Sequence, residues 1–185
     1  MGRITNIYAA TANIGEVETS GTDYQIDYRW DHEKVGSFSV SWDYTNIDEF
    51  NIMSPGSDGV SVNTQRCLDI YDCGVTLSDR WILDVDWSKG AYDASIRVNS
   101  YSDFRECEDD FCNGGPDVPS RNIEQVRYLT LSGGYDLGQG TRVRVVVSNL
   151  LDEDPPRIFN GFYSSADVSY DFMGRYFTLG VSHNF

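Results

Sequence analysis

The residues best equipped for chemistry are thiols, carboxylates and guanidiniums, and each set has a spacing that narrows its use. Cys67 with Cys73 and Cys107 with Cys112 form two local pairs in segments rich in Asp, Gly, Asn and Pro. Such pairs can oxidise to disulfides or bind zinc. Zinc sites more often show Cys-x-x-Cys spacing or nearby histidines, and the two histidines here, His32 and His183, lie elsewhere in the chain. Pairing within each segment closes the shortest loops, so two local disulfides are the simpler account. They imply an oxidising compartment outside the cytoplasm.

Asp84 and Asp86 have the look of a paired acid and base for glycoside hydrolysis. They alternate with Trp81, Leu83, Val85 and Trp87, which instead makes them one polar face of a strand. Arg142 and Arg144 share a face by the same rule, where they attract an anionic ligand or set the general field of that face. The acids Glu106, Glu108, Asp109 and Asp110, and again Asp152, Glu153 and Asp154, read as solvated loops, with cation or ligand contact as the alternative. Gly133, Gly134, Gly138 and Gly140 mimic a phosphate loop but lack the following Lys and helix, so they read as turn and close-packing positions. Neither a nucleophile elbow nor a metalloprotease helix motif occurs. No catalytic residue, cofactor or metal ligand is therefore assigned, and the chain is not expected to be an enzyme.

The elements that position these residues are strands. With 9 Phe, 12 Tyr, 4 Trp and 17 Gly, the chain has the composition of a turn-rich sheet. No apolar run is longer than Ile7 to Ala10, which excludes a transmembrane helix and leaves a β-barrel as the other way through a bilayer. A net charge of -15 with only 14 Lys and Arg argues against nucleic acid as a partner.

A strand is expected over 4–13, less regular than the rest. From Val17 to Trp30 the alternation is clean, with Tyr24, Ile26, Tyr28 and Trp30 opposite Asp23, Gln25, Asp27 and Arg29. After a turn at 31–36 come Phe38, Val40, Trp42 and Tyr44 on one face. A long loop is expected from Asn46 to about Asp79. Strands then flank the turn Lys89-Gly90, with Tyr92, Ala94, Ile96 and Val98 in the second. A second loop over 104–122 leads to Leu129, Leu131, Gly133, Tyr135 and Leu137, the turn 138–140, and Val143, Val145 and Val147. A third loop runs from Asn149 to about Ser164, with a short strand near Ala166 to Tyr170. The last strand carries Phe177, Leu179, Val181, His183 and Phe185 on one face.

This makes about eight antiparallel strands whose connections alternate short and long, as the turns and loops of outer-membrane barrels do. One parity holds two aromatic belts. Trp30, Phe38, Trp87, Tyr92, Tyr135 and Phe185 lie beside the short turns, and Tyr24, Tyr44, Trp42, Trp81 and Phe177 beside the long loops. The other parity is too charged for the interior of a soluble sandwich and suits a wet lumen, with Arg142 and Arg144 in it. A chain ending on Phe185, on the apolar face, fits lipid better than water.

Three segments carry a family resemblance: Asn13-Ile14-Gly15-Glu16-Val17-Glu18-Thr19-Ser20-Gly21-Thr22-Asp23, then Val147 through Asn149-Leu150-Leu151-Asp152-Glu153-Asp154-Pro155-Pro156, then Tyr170-Asp171 through Gly174-Arg175-Tyr176-Phe177 to Phe185. The chain resembles the carboxy-terminal part of TonB-dependent outer-membrane receptors over nearly all of residues 1–185, with Leu151 where an aromatic is common and His183 where Tyr often stands. The resemblance implies a share of a barrel of about 22 strands in the Gram-negative outer membrane, without the amino-terminal plug domain. It implies outer-membrane lipid as solvent, the barrel-assembly machinery reading Phe185, and the TonB complex acting through the missing plug. The small-molecule ligand would be a siderophore complex, cobalamin or oligosaccharide. The competing expectations are a self-contained eight-stranded barrel with a structural or adhesive role, and a secreted carbohydrate-binding sandwich.

Overall fold

The computed structural model describes residues 15–56, 61–72, 74, 76–110, 112, 119–158 and 170–184. They form an antiparallel sheet of eight strands and a small hairpin, with no helix long and apolar enough to cross a membrane. The main path runs β1 (Glu16–His32), β2 (Gly36–Pro55), β4 (Asp79–Lys89), β5 (Tyr92–Tyr101), β8 (Val126–Gly138), β9 (Thr141–Ser148) and β10 (Tyr176–His183). The short strand β3 (Val62–Arg66) pairs with the far end of β2, and β6 (Phe104–Arg105) pairs with β7 (Asn122–Ile123). Every strand on the main path pairs with its neighbour in sequence among those on that path, so this is a meander.

The period of two explains the register. Tyr28 pairs Val40, Val40 pairs Val85, Val85 pairs Ile96, Ile96 pairs Leu131, Leu131 pairs Val147 and Val147 pairs Phe177, so one rung is apolar across seven strands. The next rung is Ile26, Trp42, Leu83, Val98 and Leu129. A slip of one residue would turn every one of these side chains to the opposite face, which is why the register is so strongly specified. Aromatic partners reinforce it: Trp30 stacks on Phe38 at 4.5 Å between ring centroids, and Tyr92 meets Tyr135 at 4.7 Å. Each such pair contributes about 0.5–1.5 kcal/mol beyond its burial.

One expectation about the long connections changes. The segment assigned to a loop from Asn46 begins as strand, because β2 continues to Pro55 and turns back as β3. The register shifts between Ser20 and Gly21, a bulge opposite this extended end. The sheet is also open: among the described residues β10 pairs only with β9, and β1 only with β2. The strand expected over 4–13 and the short strand over 166–169 lie outside the described residues, as do Cys73 and Phe185.

The turns distinguish two glycines that look alike in sequence. Gly36 has φ 103° and a Cβ there would run into the Ser88 carbonyl, whereas Gly90 has φ 60° and open space within 4 Å. Gly36→Ala should therefore lower stability by about 2–3 kcal/mol and Gly90→Asn by under about 1 kcal/mol. Urea unfolding midpoints of the two variants against the parent measure this difference.

Candidate functional site

Nothing within the described chain covers the apolar face. All the buried hydrophobic residues among those described, Tyr101, Phe104, Val126, Tyr128, Ile158, Tyr170, Leu68 and three cysteines, sit at the long-loop ends of strands or in the loops themselves. Ile96, at the centre of the longest apolar rung, is 43% exposed, and Leu179 on β10 is 70% exposed. The aromatics assigned to the two belts that lie within the described residues share one face of the sheet. Trp30, Phe38, Trp87, Tyr92 and Tyr135 gather at the short-turn end of this face, while Trp42 and Trp81 stand toward the loops. Phe177 is on the same face, paired with Val147. Eight residues separate the Trp81 rung from the Lys89–Tyr92 rung on β4, which is about 26 Å along a strand at ~3.3 Å per residue.

The opposite face is polar and hollow. Residues from six strands, β1, β2, β4, β5, β8 and β9, line one depression of about 480 Å³. Six flat strands span about 24 Å, so a shared depression requires the sheet to curl toward this face. Its floor is a rung of small groups, Ser39, Asp86, Ser95 and Ser132, ending in Arg29 on β1. Ser95 and Ser132 share a hydrogen bond of 2.6 Å, and Ser39 donates to Asp86 at 3.2 Å.

Both arginines assigned to the lumen are on this face. Arg142 donates to Asp93, and Arg144 donates to the Ser132 hydroxyl at 3.0 Å. Asp84 is held by Arg97 through two bonds of 2.6 and 3.0 Å, so the Asp84 and Asp86 pair is divided between partners. Gly134 is a close-packing site, since a Cβ there would collide with the Asp93 carboxylate that takes Arg142.

The loops depart from the expected pattern. Tyr101, Val126 and Tyr128 have the polar-face parity, yet they are buried under Phe104, Ile158 and Tyr170, with Tyr71, Leu77 and Ile123 packed around them. The loops therefore fold inward over the long-loop end of the polar face. Glu106, expected in a solvated acidic loop, is fully buried. Arg121 donates to it from its backbone N–H at 3.1 Å, from Nε at 3.0 Å and from Nη2, which also reaches the Arg157 carbonyl. The carboxylate in turn raises the pKa of the Arg121 guanidinium above its ordinary value. Glu108, Asp109 and Asp110 are exposed, as expected. Cys107 and Cys112 form the local disulfide, with Cα atoms 5.4 Å apart, and Cys67 is also disulfide-bonded.

The two later motif segments meet. Asn149, with φ 48°, closes its turn by donating to the Glu153 carbonyl at 2.8 Å and accepting from the Glu153 N–H at 2.9 Å. This presents Asp152, which accepts the Arg175 N–H at 2.8 Å and lies 3.6 Å from its guanidinium. Neither link was visible in local spacing. Among the described residues no group of His, Cys, Asp and Glu has metal-binding geometry. No family model matches the chain, and no curated protein or solved structure matches it.

Removing Arg121 strands a buried charge, whereas Arg97 is 58% exposed and its pair is solvent-screened. Arg121→Ala should cost about 2–4 kcal/mol and Arg97→Ala under about 1 kcal/mol. Adding Glu106→Ala to Arg121→Ala should recover part of the loss, a coupling that urea unfolding with a loop-placed fluorophore reads directly.

Proposed function

We propose that this chain is part of the wall of an outer-membrane β-barrel, and within that class the carboxy-terminal wall and extracellular loops of a TonB-dependent receptor. The observation that carries the first step is the uncovered apolar face: seven strands aligned in apolar rungs, bounded by aromatic belts about 26 Å apart along the strand. A hydrocarbon slab is the solvent that such a surface fits. A soluble sandwich would place a second sheet over this face, and no described residue does so. The second step rests on the motif resemblance, supported by the contact of Asp152 with Gly174-Arg175 that ties the two most specific segments together.

In this role the loops meet a scarce nutrient from outside, a metal–siderophore complex, cobalamin or an oligosaccharide. The polar face lines the lumen, where Arg29, Arg97, Arg142 and Arg144 stand among carboxylates and hydroxyls and present hydrated charge to whatever fills it. Uptake would be energised by the TonB complex through the plug, with the wall as scaffold. The second reading, a self-contained eight-stranded barrel, is favoured by the curl that lets six strands line one hollow.

The test is which solvent the apolar face requires. Thr130→Arg, on the polar face, should be near neutral. Ile96→Arg should cost about 2–4 kcal/mol in lipid vesicles and reduce recovery in the outer-membrane fraction. If the native chain is a soluble monomer without detergent, and Ile96→Arg leaves its stability unchanged, the membrane assignment is wrong.

A further inference from the structure

The apolar face carries few charges, and Arg127 is the one placed for recognition. It stands on β8 in the rung Tyr24, Tyr44, Trp81, Ser100 and Arg127, at the long-loop margin of the apolar band. Its guanidinium carbon lies 5.9 Å from the centroid of the Trp81 ring. Its Nη2 donates to the Gln125 side-chain oxygen at 2.7 Å, and the Gln125 amide donates to the buried Ser100 hydroxyl at 3.1 Å. Aromatic ring, amide and hydroxyl thus fix one fork of the guanidinium. The remaining N–H groups of this exposed side chain have no carboxylate to serve: among the described residues no ion pair involves Arg127. Asp79, the acid on this face of β4, is engaged toward β2, where Tyr44 and Asn46 donate to it.

We propose that Arg127, on its Trp81 platform, binds the phosphate of an anionic lipid headgroup in the leaflet on the long-loop side. This rests on the membrane-wall reading, which gives the rung its place at the lipid boundary. Phosphate fits better than carboxylate or a neutral headgroup because a guanidinium with free N–H groups pairs with it in a bidentate fashion. A planar cation over indole also keeps its attraction when partly desolvated, which a hydrated ammonium does less well. Placement at the margin of the band, and not on the loops above it, selects a phosphate carried by a lipid over one free in water.

The full chain reconstituted in phosphatidylcholine vesicles doped with phosphatidic acid tests this. Native mass spectrometry after gentle extraction should show retained phosphatidic acid. Arg127→Gln should weaken retention about tenfold, the loss of one charge-assisted pair, Arg127→Lys should restore part of it, and Trp81→Leu should weaken it less. The urea midpoint of Arg127→Gln in pure phosphatidylcholine should equal the parent's, which separates recognition from folding. Equal retention by parent and Arg127→Gln overturns the proposal while insertion leaves the wall reading intact. Competition by millimolar inorganic phosphate also overturns it, in favour of a free-anion site. A chain that fails to insert at all overturns both.

Discussion

The governing constraint is that every strand must satisfy its backbone polar groups through its neighbours while, among the described residues, one face of the sheet has no protein to lie against. In water an uncovered rung such as Tyr28, Val40, Val85, Ile96, Leu131, Val147 and Phe177 forfeits burial worth roughly 25 cal/mol for each Å². In hydrocarbon the same rung costs nothing and the hydrogen-bonded ladder decides stability, because an unpaired N–H or C=O has no water to turn to. The meander answers that requirement strand by strand. Short turns at 33–35, 90–91 and 139–140 keep neighbours in register without exposing a length of irregular backbone.

Because the sheet has no core, the core lies in the loops. Tyr101, Val126 and Tyr128 continue the polar-face parity beyond the apolar band, and there the loops bring Phe104, Ile158 and Tyr170 down onto them. Buried Glu106 would be prohibitively costly alone; Arg121 gives it three donors and joins it to the Arg157 carbonyl. The Cys107–Cys112 disulfide stands next to that carboxylate in sequence. On the other side, the Asn149 turn presents Asp152 to Arg175 just before β10 begins. The connection into the last strand is thus fixed by polar contacts, where β10 itself has every described residue exposed.

The range of each interaction decides which features were legible in the sequence. Alternation is local, so strand faces, the short turns and the side of the sheet occupied by Arg142 and Arg144 were all legible. Cys107 and Cys112 are near neighbours, and their pairing was legible for the same reason. The loop core was not, because Tyr71, Phe104, Ile158 and Tyr170 come from separate connections and share no period. Glu106 was misassigned as solvated because its neighbours Glu108, Asp109 and Asp110 are exposed, and its partner Arg121 lies on the far side of the β6–β7 loop. The end of β2 was hidden because the run Asn46-Ile47-Asp48-Glu49-Phe50-Asn51 breaks the alternation; it is strand through its pairing with β1, and β3 joins it only from Asn51 onward. The anchoring of Arg127 depends on Trp81 and Ser100, which register alone brings beside it.

Strand direction limits how the wall can be completed. β1 begins at the long-loop end and finishes at the turn to Gly36; β10 begins beside Ser148, also at the long-loop end, and finishes beside Thr141. The two edges therefore run the same way, as they must when seven strands alternate along one path. Direct closure of β1 on β10 would be parallel, and an all-antiparallel ring needs an even number of strands. Any closed form of this wall adds an odd number, one strand for a barrel of eight or about fifteen for a barrel of about 22. A second copy of the seven-stranded sheet cannot complete it with all pairs antiparallel unless it is inverted, which would put its loops on the opposite side of the membrane. If the sheet closes as proposed, the strand beside β1 would run from the short-turn side upward, with apolar residues in register with Ile26, Tyr28 and Trp30. Both candidate barrels make this same demand on it and differ only in how many further strands stand between it and β10.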